Sequence, residues 1–203
     1  MPANNALKED IIQQQILQAA QQLFQKHGYQ KVTMDDVARA IGKGRSSLYY
    51  YYKNKDEVFD AVMDAEISDI ITEITRAADQ ATTVEQKLRT FGITKTKISG
   101  KRKAFFDALE TGMNADEISQ YTKKKQVIQK KIRKEEASLL NHILTQGALK
   151  GEIKVLDPKE QETIIFVFAT SLRGLKREMF LYNTRMEPAI DMLVRMTMQT
   201  IKP

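Results

Sequence analysis

Apolar residues recur every three or four positions along most of the chain, the spacing of one face of an α-helix, and no stretch shows the alternation of a half-buried strand. Residues 10–26 place Ile12, Ile16, Ala19, Ala20, Leu23 and Phe24 on one face and cover the rest with Gln13, Gln14, Gln18 and Gln22; His27 ends this predicted helix and Gly28 follows as its C-cap. Ahead of it, residues 1–6 are polar, carry Pro2 and are expected to fray. A long helix is predicted from Lys55 to Ala78, with Phe59, Met63, Ile67, Ile70, Ile71 and Ile74 as its stripe; at ~1.5 Å per residue it would span ~36 Å. Residues 77–83 are a polar break, and Thr82 or Thr83 caps a helix through Leu88, Phe91 and Ile98. Ser99-Gly100-Lys101 reads as another break, and Phe105, Phe106, Leu109 and Met113 as a short helix closed by Gly112 and Asn114. A helix from Ala115 to Leu149 follows, closed by Gly147 and Gly151, with Val127, Ile128 and Ile132 on its buried side. Asp157-Pro158 opens the next with a cap and a proline in its first turn. From Glu160 to Tyr182 the residues Ile164, Ile165, Val167, Phe168, Leu172, Leu175 and Met179 are apolar on more than one face, and a last helix covers Pro188 to Ile201. The pattern predicts an all-α protein of about nine helices.

Within that frame residues 33–55, TMDDVARAIGKGRSSLYYYYKNK, carry the most chemistry. Thr33 is a good N-cap, and Asp36 can return the favour to its amide. Ala38 is small where two helices must approach, Gly42 suits the φ > 0 of a sharp turn, and Leu48 faces the first helix. Two short helices crossing about a glycine turn form a helix-turn-helix, whose second helix lies in the major groove. From Lys43 to Lys55 there are four cations (Lys43, Arg45, Lys53, Lys55) and no acid, with Ser46, Ser47 and Tyr49 to Tyr52 adding hydroxyls. Such side chains contact phosphates and base edges. Leu48 and Tyr52, four apart, share the buried face. An ordinary helical hairpin with a solvated basic face is the alternative.

This stretch resembles the TetR family of bacterial transcriptional regulators. The resemblance rests on Thr33, Val37-Ala38, Gly42, Arg45, Ser47-Leu48-Tyr49, Tyr51-Tyr52, Lys55 and Val58, with Lys43 standing where the family has a small apolar residue and Gly44 where it has serine. The recognition helix therefore lacks its usual side-chain cap. The resemblance implies a three-helix DNA-binding domain over residues 7–54 and a helical ligand-binding and dimerisation domain over 55–203. Lys43, Arg45, Ser46 and Ser47 are expected to face bases, and Thr33, Tyr49, Lys53 and Lys55 to hold phosphates of double-stranded DNA; Gly44 and Tyr50 complete the expected surface. It further implies a small-molecule effector among the middle helices, where Phe91, Phe105, Phe106, Met113, Tyr121, His142 and Phe166 are candidate pocket residues. A DNA-bound adaptor instructed by a protein partner is the alternative.

Charge and composition alter this picture little. Net charge is +6, and residues 1–56 hold eight Lys and Arg against five Asp and Glu, a higher density than in the rest. The lysines and arginines from Lys123 to Lys134 read as a solvated helix face, a second nucleic-acid or membrane patch being the alternative. No run approaches the ~20 apolar residues of a membrane span, the first residues lack a signal region, and cysteine is absent, so a cytoplasmic protein without disulfides is expected. The only histidines, His27 and His142, have no acid or nucleophile nearby, and no phosphate-loop, nucleotide or metal-ligand spacing occurs; no enzyme, cofactor or metal site is expected. Five of the nine methionines fall in the last 25 residues. Methionine suits irregular interfaces, so the two final helices are expected to form a homodimer interface, with intramolecular core as the alternative.

Overall fold

The computed structural model describes residues 3–182 and 185–203, and its regular structure there is all helical. The helices are α1 (Ala3–His27), α2 (Met34–Ala40), α3 (Arg45–Tyr51), α4 (Lys55–Asp79), α5 (Val84–Leu109), α6 (Ala115–Leu149), α7 (Pro158–Tyr182) and α8 (Met186–Ile201). The expected fraying of Met1 and Pro2, and the place of the Met179 side chain, lie outside the described residues.

Three expectations are corrected. α1 starts at Ala3 instead of Asp10, because no proline or glycine interrupts residues 3–27. α5 runs unbroken through Ser99 and Gly100, so the two helices expected between Thr83 and Met113 are one; a glycine inside a helix costs only about 1 kcal/mol. Val127, assigned to the buried side of α6, is exposed, whereas Ile128 is buried.

Side chains fix most helix starts as expected. The Thr33 amide donates to Asp36 Oδ2 at 2.9 Å and the Asp36 amide to Thr33 Oγ1 at 3.2 Å, a complete capping box. Asp157 Oδ1 accepts from the amides of Lys159 and Glu160, both at 2.9 Å, ahead of Pro158. Asn54 caps α4 through the Glu57 amide at 2.9 Å, but Glu57 returns to the amide of Lys53 at 2.8 Å, one residue before the position a capping box requires. Asn114, read as a helix end, also starts α6: it caps the Glu117 amide at 3.0 Å, and Glu117 accepts from the Asn114 amide at 2.8 Å.

The chain divides into two compact units. The first is Met1–Ser68 with Arg102–Ile128. Its centre is aromatic: Phe59 of α4 has its ring centroid 4.8 Å from Tyr29, 5.8 Å from Phe24 and 6.3 Å from Tyr121. Ile16, Ala20, Val32, Val37, Ala38 and Leu48 are buried with them, which seats α2 and α3. Gly28 closes α1 at φ +79°, and a Cβ there would lie 2.5 Å from the Thr111 carbonyl oxygen, so no other residue fits. Gly42 at φ +66° makes the turn out of α2 in open space, where only the backbone conformation selects glycine.

The second unit is Asp69–Lys101 with Gln129–Pro203. One hydrophobic cluster fills it, running from Ile70, Ile74, Leu88 and Phe91 through Leu140, Leu144, Phe168 and Leu172 to Ile190, Val194 and Ile201. α4, α5 and α6 each contribute residues to both units.

Candidate nucleic-acid interface

α2 and α3 expose the side chains expected to meet DNA. Lys43, Gly44, Arg45, Ser46, Ser47, Tyr49 and Tyr50 are all exposed, while Leu48 on the opposite face is fully buried. Tyr52, expected to be core, is half-buried and ends α3 in an extended conformation. Lys43, Ser46, Ser47 and Tyr50, with Ile12 of α1 and Tyr51, line a shallow cleft of about 300 Å³. Gly44 caps α3 without a side-chain hydrogen bond, as the missing serine implies. Thr33 and Lys53 are exposed at the starts of α2 and α4.

Arg45 is held in place by its neighbours. Its Nη2 donates to the Tyr49 hydroxyl at 3.1 Å, its Nε lies 3.2 Å from Asp35 Oδ1, and the guanidinium sits 5.3 Å from the Tyr49 ring centroid. The bond to Tyr49, and then the Asp35 charge, raise the Arg45 pKa further. The pairing of Asp35 with Arg45 crosses the turn between residues ten apart and has no local signature in the sequence.

Lys55 departs most from its expected role. Its Nζ donates to the carbonyl oxygens of Tyr29 at 3.1 Å and Gln30 at 3.2 Å and lies 4.4 Å from the Tyr29 ring centroid. Burial lowers its pKa, as expected for an ammonium withdrawn from water. It thus ties the start of α4 to the end of α1. Beside it, Lys124 Nζ and the Tyr29 hydroxyl both donate to Asp56 Oδ1, joining the start of α4 to α6.

Those two bonds, Lys124 first, hold the Asp56 carboxyl below the usual carboxylate range. A lowered folded pKa adds stability above the unfolded value near 3.9, and that stability is lost as pH falls through the folded one. The melting temperature of the native protein is therefore expected to fall more steeply than that of Asp56→Asn between about pH 5 and about pH 3. Thermal melts followed by circular dichroism check this, and parallel curves would remove the Asp56 network from the acid sensitivity.

The seven candidate pocket residues are not brought together within either unit. Phe105, Phe106, Met113 and Tyr121 belong to the first: Phe105 is buried 5.4 Å from the Phe106 ring, and Tyr121 is buried with its hydroxyl unpartnered and its pKa raised by burial. Phe91, His142 and Phe166 belong to the second, where Phe91 is core, 6.3 Å from the Phe168 ring, and His142 and Phe166 are exposed. A cleft of about 320 Å³ in the second unit lies elsewhere, between α5, α6 and α7, and eight of its ten lining residues are polar. No described helix is long and apolar enough to cross a membrane.

Known proteins agree with this geometry. The family described as bacterial regulatory proteins, tetR family, matches residues 16–62, from the middle of α1 into α4. An uncharacterized HTH-type transcriptional regulator of Bacillus subtilis, YhgD, is 27% identical over 151 residues, 71% of this chain and 73% of its own length. The fatty acid metabolism regulator protein of Bacillus subtilis is 26% identical over 156 residues, 75% of this chain and 76% of its own. The crystal structure of the transcriptional regulator FadR from Bacillus subtilis in complex with stearoyl-CoA has the same fold, with a TM-score of 0.58, 17% identity and coverage of 91% of this chain and 96% of that one. The match to the tetR family of bacterial regulatory proteins spans the very helices that carry the exposed basic face, and relatives named as regulators extend the likeness over most of the chain's length.

Proposed function

We propose that this regulator is a cytoplasmic homodimer that represses transcription by binding a palindromic operator and is released by a small-molecule effector. Residues 7–54 form its DNA-binding domain and residues 55–203 its ligand-binding and dimerisation domain. The observation that carries the reading is the exposed surface from Lys43 to Tyr50, which presents two cations and no acid on a helix seated by Leu48. Lys43, Gly44, Arg45, Ser46, Ser47 and Tyr50 lie toward the bases, and Thr33, Tyr49 and Lys53 toward phosphates. Lys55 has two of its three donors committed to carbonyls, so one remains for a phosphate.

Phe166 and Val167 on α7 and Met192 and Met196 on α8 are large apolar side chains left exposed, and a second copy meeting the same surfaces would cover them. Two recognition helices so related would enter major grooves about 34 Å apart or a multiple of it. α4 passes from the unit that holds the DNA-facing helices into the one that holds the cleft. An effector that prefers one setting of that helix would change the separation of the two recognition helices, and without such a preference nothing shifts. The bound stearoyl-CoA in the FadR structure is a precedent for a small-molecule effector, and the cleft in the second unit favours one over a protein partner.

Selection from a random-sequence DNA pool at several salt concentrations tests the DNA half of the proposal. A palindromic site and an affinity that falls with salt are expected; recovery of no palindrome, or a flat salt response, would overturn it. On the selected site Arg45→Ala is expected to cost about 1–3 kcal/mol with the melting temperature unchanged, since the side chain is exposed. Lys53→Ala is expected to weaken all sequences alike and to lower the salt slope by about one.

A further inference from the structure

The cleft of the second unit gathers cationic side chains from three helices. Lys95, Thr96 and Ser99 of α5, Gln129, Ile132, Arg133 and Glu136 of α6, and Leu172, Arg173 and Lys176 of α7 line about 320 Å³. Four of these side chains are cationic and one is acidic, and only Ile132 and Leu172 are apolar. The acid, Glu136, is 3% exposed and lies at the floor. Lys95, its side chain 13% exposed, pairs with Glu136 Oε2, and Arg173 Nη1 stands 4.0 Å from the same oxygen.

A buried ion pair is a poor device for stability alone, because removing two charges from water costs about as much as their attraction returns. Among the described residues that line the cleft, the Glu136 carboxylate is shared by Lys95 and Arg173. Burial, with the Arg173 and Lys176 charges adding to it, lowers the Lys95 pKa although Glu136 acts the other way. A group bearing two or more negative charges would relieve that imbalance. Arg133 and Arg173 supply planar forks suited to tetrahedral or planar oxyanions, and Ser99 and Gln129 supply neutral hydrogen-bonding groups. The volume is at the small end of ligand pockets, which suits a compact polar group.

We propose that this cleft binds the phosphate or pyrophosphate group of a small molecule, with Arg133, Arg173 and Lys95 as its ligands and Glu136 holding Lys95 and Arg173 in place when the site is empty. The link from this site to DNA release rests on the effector-responsive reading above; the binding itself does not.

Isothermal titration calorimetry on the full chain at constant ionic strength tests it, with inorganic pyrophosphate as the probe and succinate as a dicarboxylate control, both near pH 6 where each is mainly a dianion. Saturable pyrophosphate binding is expected, about tenfold tighter than succinate. Arg133→Gln combined with Arg173→Gln is expected to weaken pyrophosphate about tenfold or more, as loss of charge-assisted bonds does. Both positions reach solvent, so this variant is expected to keep its helical content. Glu136→Gln is expected to tighten pyrophosphate by removing the competing carboxylate. The proposal is overturned by an absence of saturable pyrophosphate binding, by unchanged binding in the double variant, or by equal affinity for succinate. Loss of operator selection with intact pyrophosphate binding would refute the regulator reading and leave this site standing; the reverse result would refute the site alone.

Discussion

Phe59→Ala is expected to destabilise the first compact unit by about 3–5 kcal/mol, the range for emptying a buried aromatic position. Phe59 is fully buried on α4, and its ring meets Phe24 of α1, Tyr29 of the following turn and Tyr121 of α6. All three contacts are edge-on, at interplanar angles of 66°, 65° and 70°, the arrangement in which a ring edge meets a ring face and each pair adds about 0.5–1.5 kcal/mol beyond its buried area. Domains of this kind are stable by only about 5–15 kcal/mol, so the loss is a large part of the whole. α2 and α3 are seven residues each and pack on α1 and on one another, so loss of the Phe59 contact that holds α1 should make specific DNA binding fail at a lower temperature than in the native protein. Phe59→Leu fills most of the volume and is expected to cost much less. Urea unfolding followed by circular dichroism and by DNA binding separates the cases, and an Ala variant within about 1 kcal/mol of native would remove Phe59 from the centre of this unit.

Much of this architecture is local and was therefore readable. The stripe of Phe59, Met63, Ile67, Ile70 and Ile74 set α4 by spacing, and Thr33 and Asp157 marked helix starts that the side-chain hydrogen bonds reproduce. Reading failed where tertiary packing overrode a local signal. Ser99-Gly100 looks like a break, but Ile98 and Phe105 on either side are both buried, and their packing outweighs the small helical cost of one glycine whose Cβ position is open. Glu57 bonds the Lys53 amide in place of the Asn54 amide because side-chain reach, not register alone, decides which donor is satisfied.

The two halves of the candidate function differ in the same way. The candidate DNA-facing surface lies within a few consecutive residues of one short helix and the turn before it, so its exposure and charge are features of local sequence. The cleft draws Lys95, Glu136 and Arg173 from three helices. In sequence each looks like an ordinary charged position on a solvated helix face, and only the packing of α5, α6 and α7 makes them neighbours. The placement of the candidate pocket aromatics was not legible in the sequence for a related reason. Phe91 is used as core and Phe166 is left exposed, because residue type alone does not say which face of a helix a neighbour covers.

Arg102→Met is the complementary test of charge inside the fold, with an expected loss of about 3 kcal/mol, the lower end of the range for breaking a buried ion pair. Glu66 on α4 is 5% exposed and accepts from Gln21 of α1 and Arg102 of α5, so one carboxylate joins three helices of the first unit. Without Arg102 the carboxylate stays out of water with only the Gln21 amide, and its charge is uncompensated. Glu66→Gln is expected to cost less, because the Arg102 side chain remains 22% exposed and can turn its charge to solvent. The double variant carries no buried charge and is expected to be more stable than Arg102→Met alone, so the two substitutions should be strongly non-additive. Urea midpoints for the four proteins close this cycle. Additive losses would mean that Arg102 and Glu66 act separately, and that α1, α4 and α5 are held together here by apolar packing and not by the shared carboxylate.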